Sequence, residues 1–167
     1  CCGANHAAID ILSAYAERLA DIESVSLRIP RLSNTMVGLV NTNTYTPGNI
    51  EQVQFSLPVQ AAFALLGYGN GYGAHLRYLE GTLDMDLVLA TARKVQLVEA
   101  TEYDKRYPGK FVTEATVTFK DGRQETTFVE NSLGTPDNPM DEAAHDAKFL
   151  ELTVDVLGEA RARALLQ

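Results

Sequence analysis

The sequence predicts an α+β domain of two layers, with helices packed on one face of a mainly antiparallel sheet of about four strands. Three observations predict this class. One segment alternates like a β-hairpin, both ends of the chain show helical periodicity, and a central segment is nearly all apolar. Hairpin-linked strands with helices segregated to one side are typical of α+β folds. A length of 167 residues suffices for one such domain.

The hairpin is the strongest local pattern. Alternation with polar neighbours runs through Phe111, Thr113, Ala115, Val117 and Phe119. A second run rich in β-forming residues covers residues 123–129, and Asp121-Gly122 lies between the two. An Asp-Gly pair in this position predicts a type I′ hairpin turn.

At the amino end, Asn5 can cap a helix. The apolar positions of this helix recur every three or four residues, at Ala8, Ile11, Leu12, Tyr15, Leu19 and Ile22. Alternation over residues 25–29 then predicts a half-buried strand that ends at Pro30. Residues 33–49 are rich in Asn, Thr and Gly, which predicts an irregular connection.

The central segment, residues 50–66, has a helical pattern and is almost wholly apolar after Pro58. It predicts a buried helix, with a kink or break at the proline. The glycine-rich residues 69–74 match a dinucleotide-binding fingerprint in their letters. That motif requires a preceding strand, whereas a helix precedes these glycines. We therefore interpret them as the left-handed end of a helix.

Downstream of the glycines, short helices are predicted over residues 74–79 and 84–92, followed by a strand over residues 94–100. Asp84 is the predicted cap of the second helix.

The carboxyl end predicts two helices, over residues 140–152 and 157–166, with Phe149 in the core. We treat residues 1–167 as one domain. Its core covers about residues 1–150, and residues 151–167 form a returning C-terminal helix.

Composition excludes several classes of partner. The formal net charge is −8, from 22 acidic and 14 basic residues, which argues against nucleic acid and anionic membranes. No apolar run is long enough to span a bilayer. With two adjacent cysteines, we expect free thiols and a cytoplasmic location. Since the chain begins at Cys1 rather than Met, we expect it to be processed, excised, or one piece of a longer polypeptide.

The first six residues, "CCGANH", combine two thiols with an imidazole. Cys1, Cys2 and His6 supply at most three ligands, fewer than a structural zinc site needs, so no metal is expected. A Cys-x-x-Cys redox motif is absent. A cysteine nucleophile with His6 as its base remains open, beside the alternative of a buried thiol at a helix start. His6 lies at the positive end of the predicted helix, where an anion can bind.

The order of four motifs resembles the C-terminal region of the MmgE/PrpD family. The motifs are "CCGANHAAID", "VQFSLPVQAAFALLGYG", "VTFKDGR" and "DNPMDEAAHDAKF". In family order they cover nearly the whole chain. The wording of the first motif is closest to the iminodisuccinate epimerase branch of the family, which also contains 2-methylcitrate dehydratase and cis-aconitate decarboxylase.

The resemblance implies the small α+β lid domain of an enzyme whose large all-helical domain is absent from this chain. Family members dimerise through that larger domain. They act on small di- and tricarboxylates by proton abstraction, without metal or organic cofactor. We therefore expect the chain alone to be inactive. The alternative is a stand-alone module that binds a small ligand or a protein, which should bury residues 59–66 completely.

The resemblance also implies site residues. Cys2 and His6 would form a wall of the pocket, and Cys2, Asn5, His6 and Ser56 would bind substrate. A family lysine precedes the position of Cys1. Val59 stands where the decarboxylase branch has a tyrosine, which makes decarboxylation of cis-aconitate less favoured. Most other catalytic positions belong to the helical domain.

Overall fold

A computed structural model of the chain describes residues 1–69 and 72–166. Its helices are α1 (His6–Ser13), α2 (Arg31–Val37), α3 (Ile50–Gln54), α4 (Leu57–Leu65), α5 (Tyr72–Leu79), α6 (Met85–Ala92), α7 (Glu142–Leu157) and α8 (Glu159–Ala164). Its strands are β1 (Ile22–Ile29), β2 (Val95–Glu99), β3 (Thr113–Phe119) and β4 (Gln124–Val129). Short 3-10 helices cover Gly3–Asn5, Ala16–Asp21 and Thr101–Arg106.

The four strands form one mixed sheet in the order β2-β1-β3-β4. β1 runs parallel to β2, with Val25 opposite Val95. β1 and β3 are antiparallel, with Val25 opposite Val117. β3 and β4 form the predicted antiparallel hairpin. Two of the three pairings are antiparallel, so the predicted α+β class with a mainly antiparallel sheet is confirmed.

One face of the sheet is buried under helices. Its apolar side chains include Val25, Leu27 and Ile29 of β1 and Val117 and Phe119 of β3, and they share a core with α1 and α4. Alternate residues on these strands point to the other face and are half-exposed. The period of two in the sequence therefore sets which face is covered.

Helix α4 is buried on all sides, as predicted. Leu57, Ala61 and Leu65 pack into the core beneath the sheet, whereas Val59 and Phe63 pack into a second core that α5 and α6 complete. A helix enclosed by two cores needs no polar face, which explains its nearly unbroken apolar sequence.

The predicted break at Pro58 is also confirmed. α3 ends at Gln54, and α4 begins with Leu57 and Pro58 in its first turn, where proline is tolerated. Ser56 caps α4, because its Oγ accepts a hydrogen bond from the Val59 amide at 3.1 Å. The same Oγ donates to the carbonyl of Thr44.

Replacing Ser56 with alanine is expected to lower the free energy of unfolding by about 2 kcal/mol. The change removes the N-cap of α4 and also the hydroxyl that donates a hydrogen bond to the Thr44 carbonyl. Urea denaturation measures the difference. Ser13→Ala is the matched control, since this serine is exposed in α1 and should shift stability by less than about 0.5 kcal/mol. Equal losses in both variants would contradict the assigned role of Ser56.

Two predicted boundaries are wrong. The first helix ends at Ser13, and Ile22 belongs to β1 rather than to a helical face. The segment predicted to be irregular, residues 33–49, begins inside α2, which ends at Val37. Asn34 fixes the end of α2 with one local and one long-range bond: its Oδ1 accepts from the Leu39 amide at 2.7 Å, and its Nδ2 donates to Glu99 at 2.9 Å.

The hairpin turn also differs from the predicted type I′. That type needs positive φ at both central residues, and the described residues with positive φ are all glycines, including Gly122 at +84°. The Gly122 amide donates to the Phe119 carbonyl at 2.9 Å, and the Phe119 amide donates to Arg123 at 2.9 Å. The connection is a three-residue loop that ends in a left-handed glycine.

The left-handed glycines after α4 are confirmed at Gly67 and Gly69, with φ of +74° and +59°. The Tyr68 amide donates to Phe63 at 2.8 Å and the Gly67 amide donates to Ala64 at 3.1 Å, which is the Schellman pattern. For Gly73 the prediction is wrong, because this glycine lies inside α5 and is not among those with positive φ. Gly71, also in the predicted cluster, lies outside the described residues.

Helix α7 lies on the outside of the domain. Asp141 caps it by accepting from the Ala144 amide at 2.7 Å, and none of the helix residues is buried. Phe149 is therefore only half-buried, and its predicted core position is wrong. The helix continues past residue 150 to Leu157, because its apolar pattern is not interrupted before Gly158.

Candidate functional site

A half-open cavity of about 830 Å³ lies between the amino end of α1, helix α5 and helix α7. We call it the α7 cavity. Its polar lining includes Cys1, His6, Gln54, His75, Lys148 and Glu151. Its apolar lining includes Leu133, Met140, Ala144, Ala147 and Leu152. The volume lies within the usual range for small-molecule sites, about 300–1,000 Å³.

His6 is the first residue of α1, where the sequence places it, and its half-buried ring lines the cavity. Burial holds the pKa of His6 below its usual value near 6.5, and the positive charge of Lys148 lowers it further. Asp10, one turn along α1, acts in the opposite direction. The imidazole is therefore mainly neutral at pH 7 and can accept a proton.

His75 is a second imidazole of the cavity, and it is almost fully buried. The side-chain nitrogen of Gln60 lies 3.1 Å from Nε2 of His75 and also donates to the Val53 carbonyl at 2.9 Å. The second contact orients the amide so that its other N–H points at Nε2 of His75. Phe63 packs against this ring edge-on, at 5.7 Å between centroids.

The other predicted site residues lie behind the cavity wall. Asn5 is fully buried, and its Nδ2 donates to the Gln54 carbonyl at 3.0 Å instead of capping α1. Ser56 is fully buried at the start of α4. Cys2 is half-buried against the main core, and its amide donates to Gln54 at 3.3 Å. These three residues hold the cavity-lining segment in place, and their direct contact with a substrate stays a prediction.

Two residues of the cavity were missed by sequence reasoning. His75 follows the glycine cluster and shares no motif with His6, and Lys148 is far away in the sequence, on α7. The only local signal for Lys148 is its place in the "DNPMDEAAHDAKF" motif. Packing of α7 against α5 places Lys148 in the same cavity as His6.

A second cavity, of about 270 Å³, lies on the other side of His6. Its lining includes Lys110, Glu130 and Asp137. Lys110 Nζ lies 3.2 Å from Glu130 and 3.6 Å from Asp137. The lysine of the second cavity is therefore held in salt bridges, whereas Lys148 in the α7 cavity forms none with the described residues.

The part of the chain that the structure describes, residues 1–69 and 72–166, offers neither a metal-ion site nor a membrane-spanning helix. Within these residues, no group of three or more His, Cys, Asp and Glu side chains is placed to hold a metal ion. None of the helices in this part of the chain has both the length and the apolarity to cross a bilayer.

Together, the fold and the α7 cavity define a small α+β domain in which a mainly neutral histidine, His6, and a lysine, Lys148, line a cavity of small-molecule size. The family model described as the MmgE/PrpD C-terminal domain matches residues 1–167, and the chain belongs to this family. No curated protein matches the chain with significance.

Proposed function

We propose that the chain is the lid domain of an MmgE/PrpD enzyme that acts on small di- or tricarboxylates by proton abstraction, as an epimerase or a dehydratase. The observation that carries this proposal is the position of His6. The histidine of the motif "CCGANHAAID" lines a cavity of small-molecule size beside Lys148. The proposed reaction uses no metal and no organic cofactor.

The chemistry follows from the protonation state of His6. A neutral imidazole can remove a proton from a carbon next to a carboxylate, and the negative charge that develops on that carboxylate needs a nearby cation or N–H group. Return of a proton to the opposite face of the carbon gives epimerisation. Loss of hydroxide from the neighbouring carbon gives dehydration. The likeness to the iminodisuccinate epimerase branch favours epimerisation.

The proposed partner within the enzyme is the family's helical domain. Exposed apolar side chains in the segment between α2 and α4 support this partner. Leu39, Val40 and Phe55 are 52%, 60% and 42% exposed, and the side chain of Asn41 donates to the Phe55 carbonyl at 3.4 Å, which joins the two segments. The proposal includes a homodimer formed through the helical domain and a cytoplasmic location.

Isolated, the 167-residue chain is expected to be inactive on 2-methylcitrate, cis-aconitate and iminodisuccinate. Proton NMR in D₂O measures both turnover and solvent exchange at the carbon next to the carboxylate. The positive control is the same chain joined to a helical domain of the family, which is expected to turn over one of these acids. Turnover by the isolated chain at ordinary enzyme rates, about 1 s⁻¹ or more, would overturn the proposal.

A second candidate is a stand-alone module that binds a small ligand or a protein. The burial of α4 favours it, since residues 59–65 are wholly buried within this chain and only Leu66 of the predicted segment is partly exposed. Ligand affinity separates the two candidates. A stand-alone module binds its ligand equally well with and without the helical domain, whereas a lid domain gains affinity when that domain is joined to it.

A further inference from the structure

We propose that Lys148 is the residue of this chain that binds a carboxylate of the substrate, so that α7 selects anionic substrates for the α7 cavity. This inference rests on the proposed function and deepens it, because the family match identifies neither a role for this lysine nor one for its helix.

Lys148 is the lysine of the cavity lining, and no arginine lines the cavity within the described part of the chain. It forms no salt bridge with any residue of the two described ranges. Lys94 Nζ donates to the Ile22 carbonyl at 2.7 Å, and Lys110 pairs with two carboxylates. Lys105 and Lys120 are exposed and also form no salt bridge within these ranges, but neither lines the α7 cavity. Lys148 is thus the lysine without a salt bridge whose ammonium can meet a ligand in the cavity.

The one acidic side chain of the described cavity lining, Glu151, forms no salt bridge with Lys148. Glu151 lies one turn further along α7, but its Oε1 accepts a hydrogen bond from the Gly73 amide at 3.2 Å. This contact joins α7 to the start of α5 across the cavity. It turns the carboxylate of Glu151 toward Gly73 and holds α7 in place, and no salt bridge joins Glu151 to Lys148.

The field of this charge reaches His6. Lys148 is among the causes that lower the pKa of His6, so the two side chains face a common space. An ammonium on α7 and a neutral imidazole on α1 suit a substrate that carries a carboxylate beside the carbon to be deprotonated. A charge-assisted hydrogen bond from an ammonium is among the stronger polar contacts that a carboxylate can make.

Citrate titration of the isolated chain, followed by the ring signals of His6 in NMR, tests the proposal. Lys148→Met is expected to weaken citrate binding by about 10- to 100-fold, the loss typical of one charge-assisted hydrogen bond. Lys148→Arg should retain binding within a few-fold. Lys105→Met is the matched control, because Lys105 is exposed and lines neither cavity, and it should bind citrate like the wild type.

The pH titration of His6 shows whether the ammonium of Lys148 lies close enough to His6 to change its pKa. Removing the positive charge in Lys148→Met is expected to raise the pKa of His6, whereas Lys105→Met should leave it unchanged. A raised pKa with unchanged citrate affinity would overturn the proposal, and so would a wild-type chain that does not respond to citrate. Failure of the proposed function shows separately, as a two-domain enzyme that turns over none of the acids even though Lys148 governs citrate binding.

Discussion

Phe63→Ala is expected to lower the free energy of unfolding of the chain by about 4 kcal/mol, the largest stability loss that we predict. Phe63 is 0% exposed on α4, and its ring packs against Tyr68 and His75, at 6.2 and 5.7 Å between centroids. Truncation of a fully buried phenylalanine removes its burial energy and leaves a cavity, which costs about 3–5 kcal/mol. Denaturation in urea or guanidinium measures the change.

Phe55→Ala is the matched control for this prediction. Phe55 lies just before α4 and is 42% exposed, so its truncation should cost less than about 1 kcal/mol. Because Phe63 supports His75, the ring signals of His75 should also shift in Phe63→Ala and stay in place in Phe55→Ala. Similar losses of stability in the two variants would show that the second core does not hold the domain together.

The same region shows why part of the fold can be predicted from the sequence. The apolar run, Pro58 and the serine before it lie within a few residues of one another, and each acts locally on the backbone. The hairpin was predictable for the same reason, since a strand alternation and a turn are local. The turn type was wrong because Asp121 stays at negative φ and only Gly122 takes the left-handed conformation.

Errors arose where distant residues decide the local structure. α2 extends into the Asn- and Thr-rich segment, where the side chain of Asn34 bonds to the distant Glu99. Ile22 fits the helical period, yet it starts β1 because the sheet needs it beside Phe119. Neither partner can be inferred from the spacing of apolar residues.

The residues of the site show the same difference between local patterns, which can be predicted, and distant contacts, which cannot. His6 was identified because its motif is short and stands at a helix start. The predicted Asn5 and Ser56 lie close to it, but their side chains bond to the backbone of Gln54 and of Thr44. Lys148 reaches the cavity only after α7 packs across the domain, so no local pattern could assign it.

In the two-domain enzyme, His6→Gln is expected to lower kcat by about 10²- to 10⁴-fold, the usual contribution of a general acid or base. Glutamine keeps the polarity and roughly the size of the side chain but cannot exchange a proton at neutral pH. His145→Gln is the matched control. His145 lies on α7 with its side chain 73% exposed, and its replacement should leave kcat within about two-fold of the wild type.

The pH dependence separates a proton-accepting role of His6 from a merely structural one. The pKa of His6 lies below its usual value near 6.5, mainly because of burial, so the neutral form that accepts a proton is lost as the pH falls through that lowered pKa. The kcat/KM of the wild-type enzyme should therefore decline on the acid side below pH 6.5, and this decline should disappear in His6→Gln and persist in His145→Gln. A variant that is slow but keeps the acid decline would mean that another group accepts the proton and that His6 only shapes the cavity.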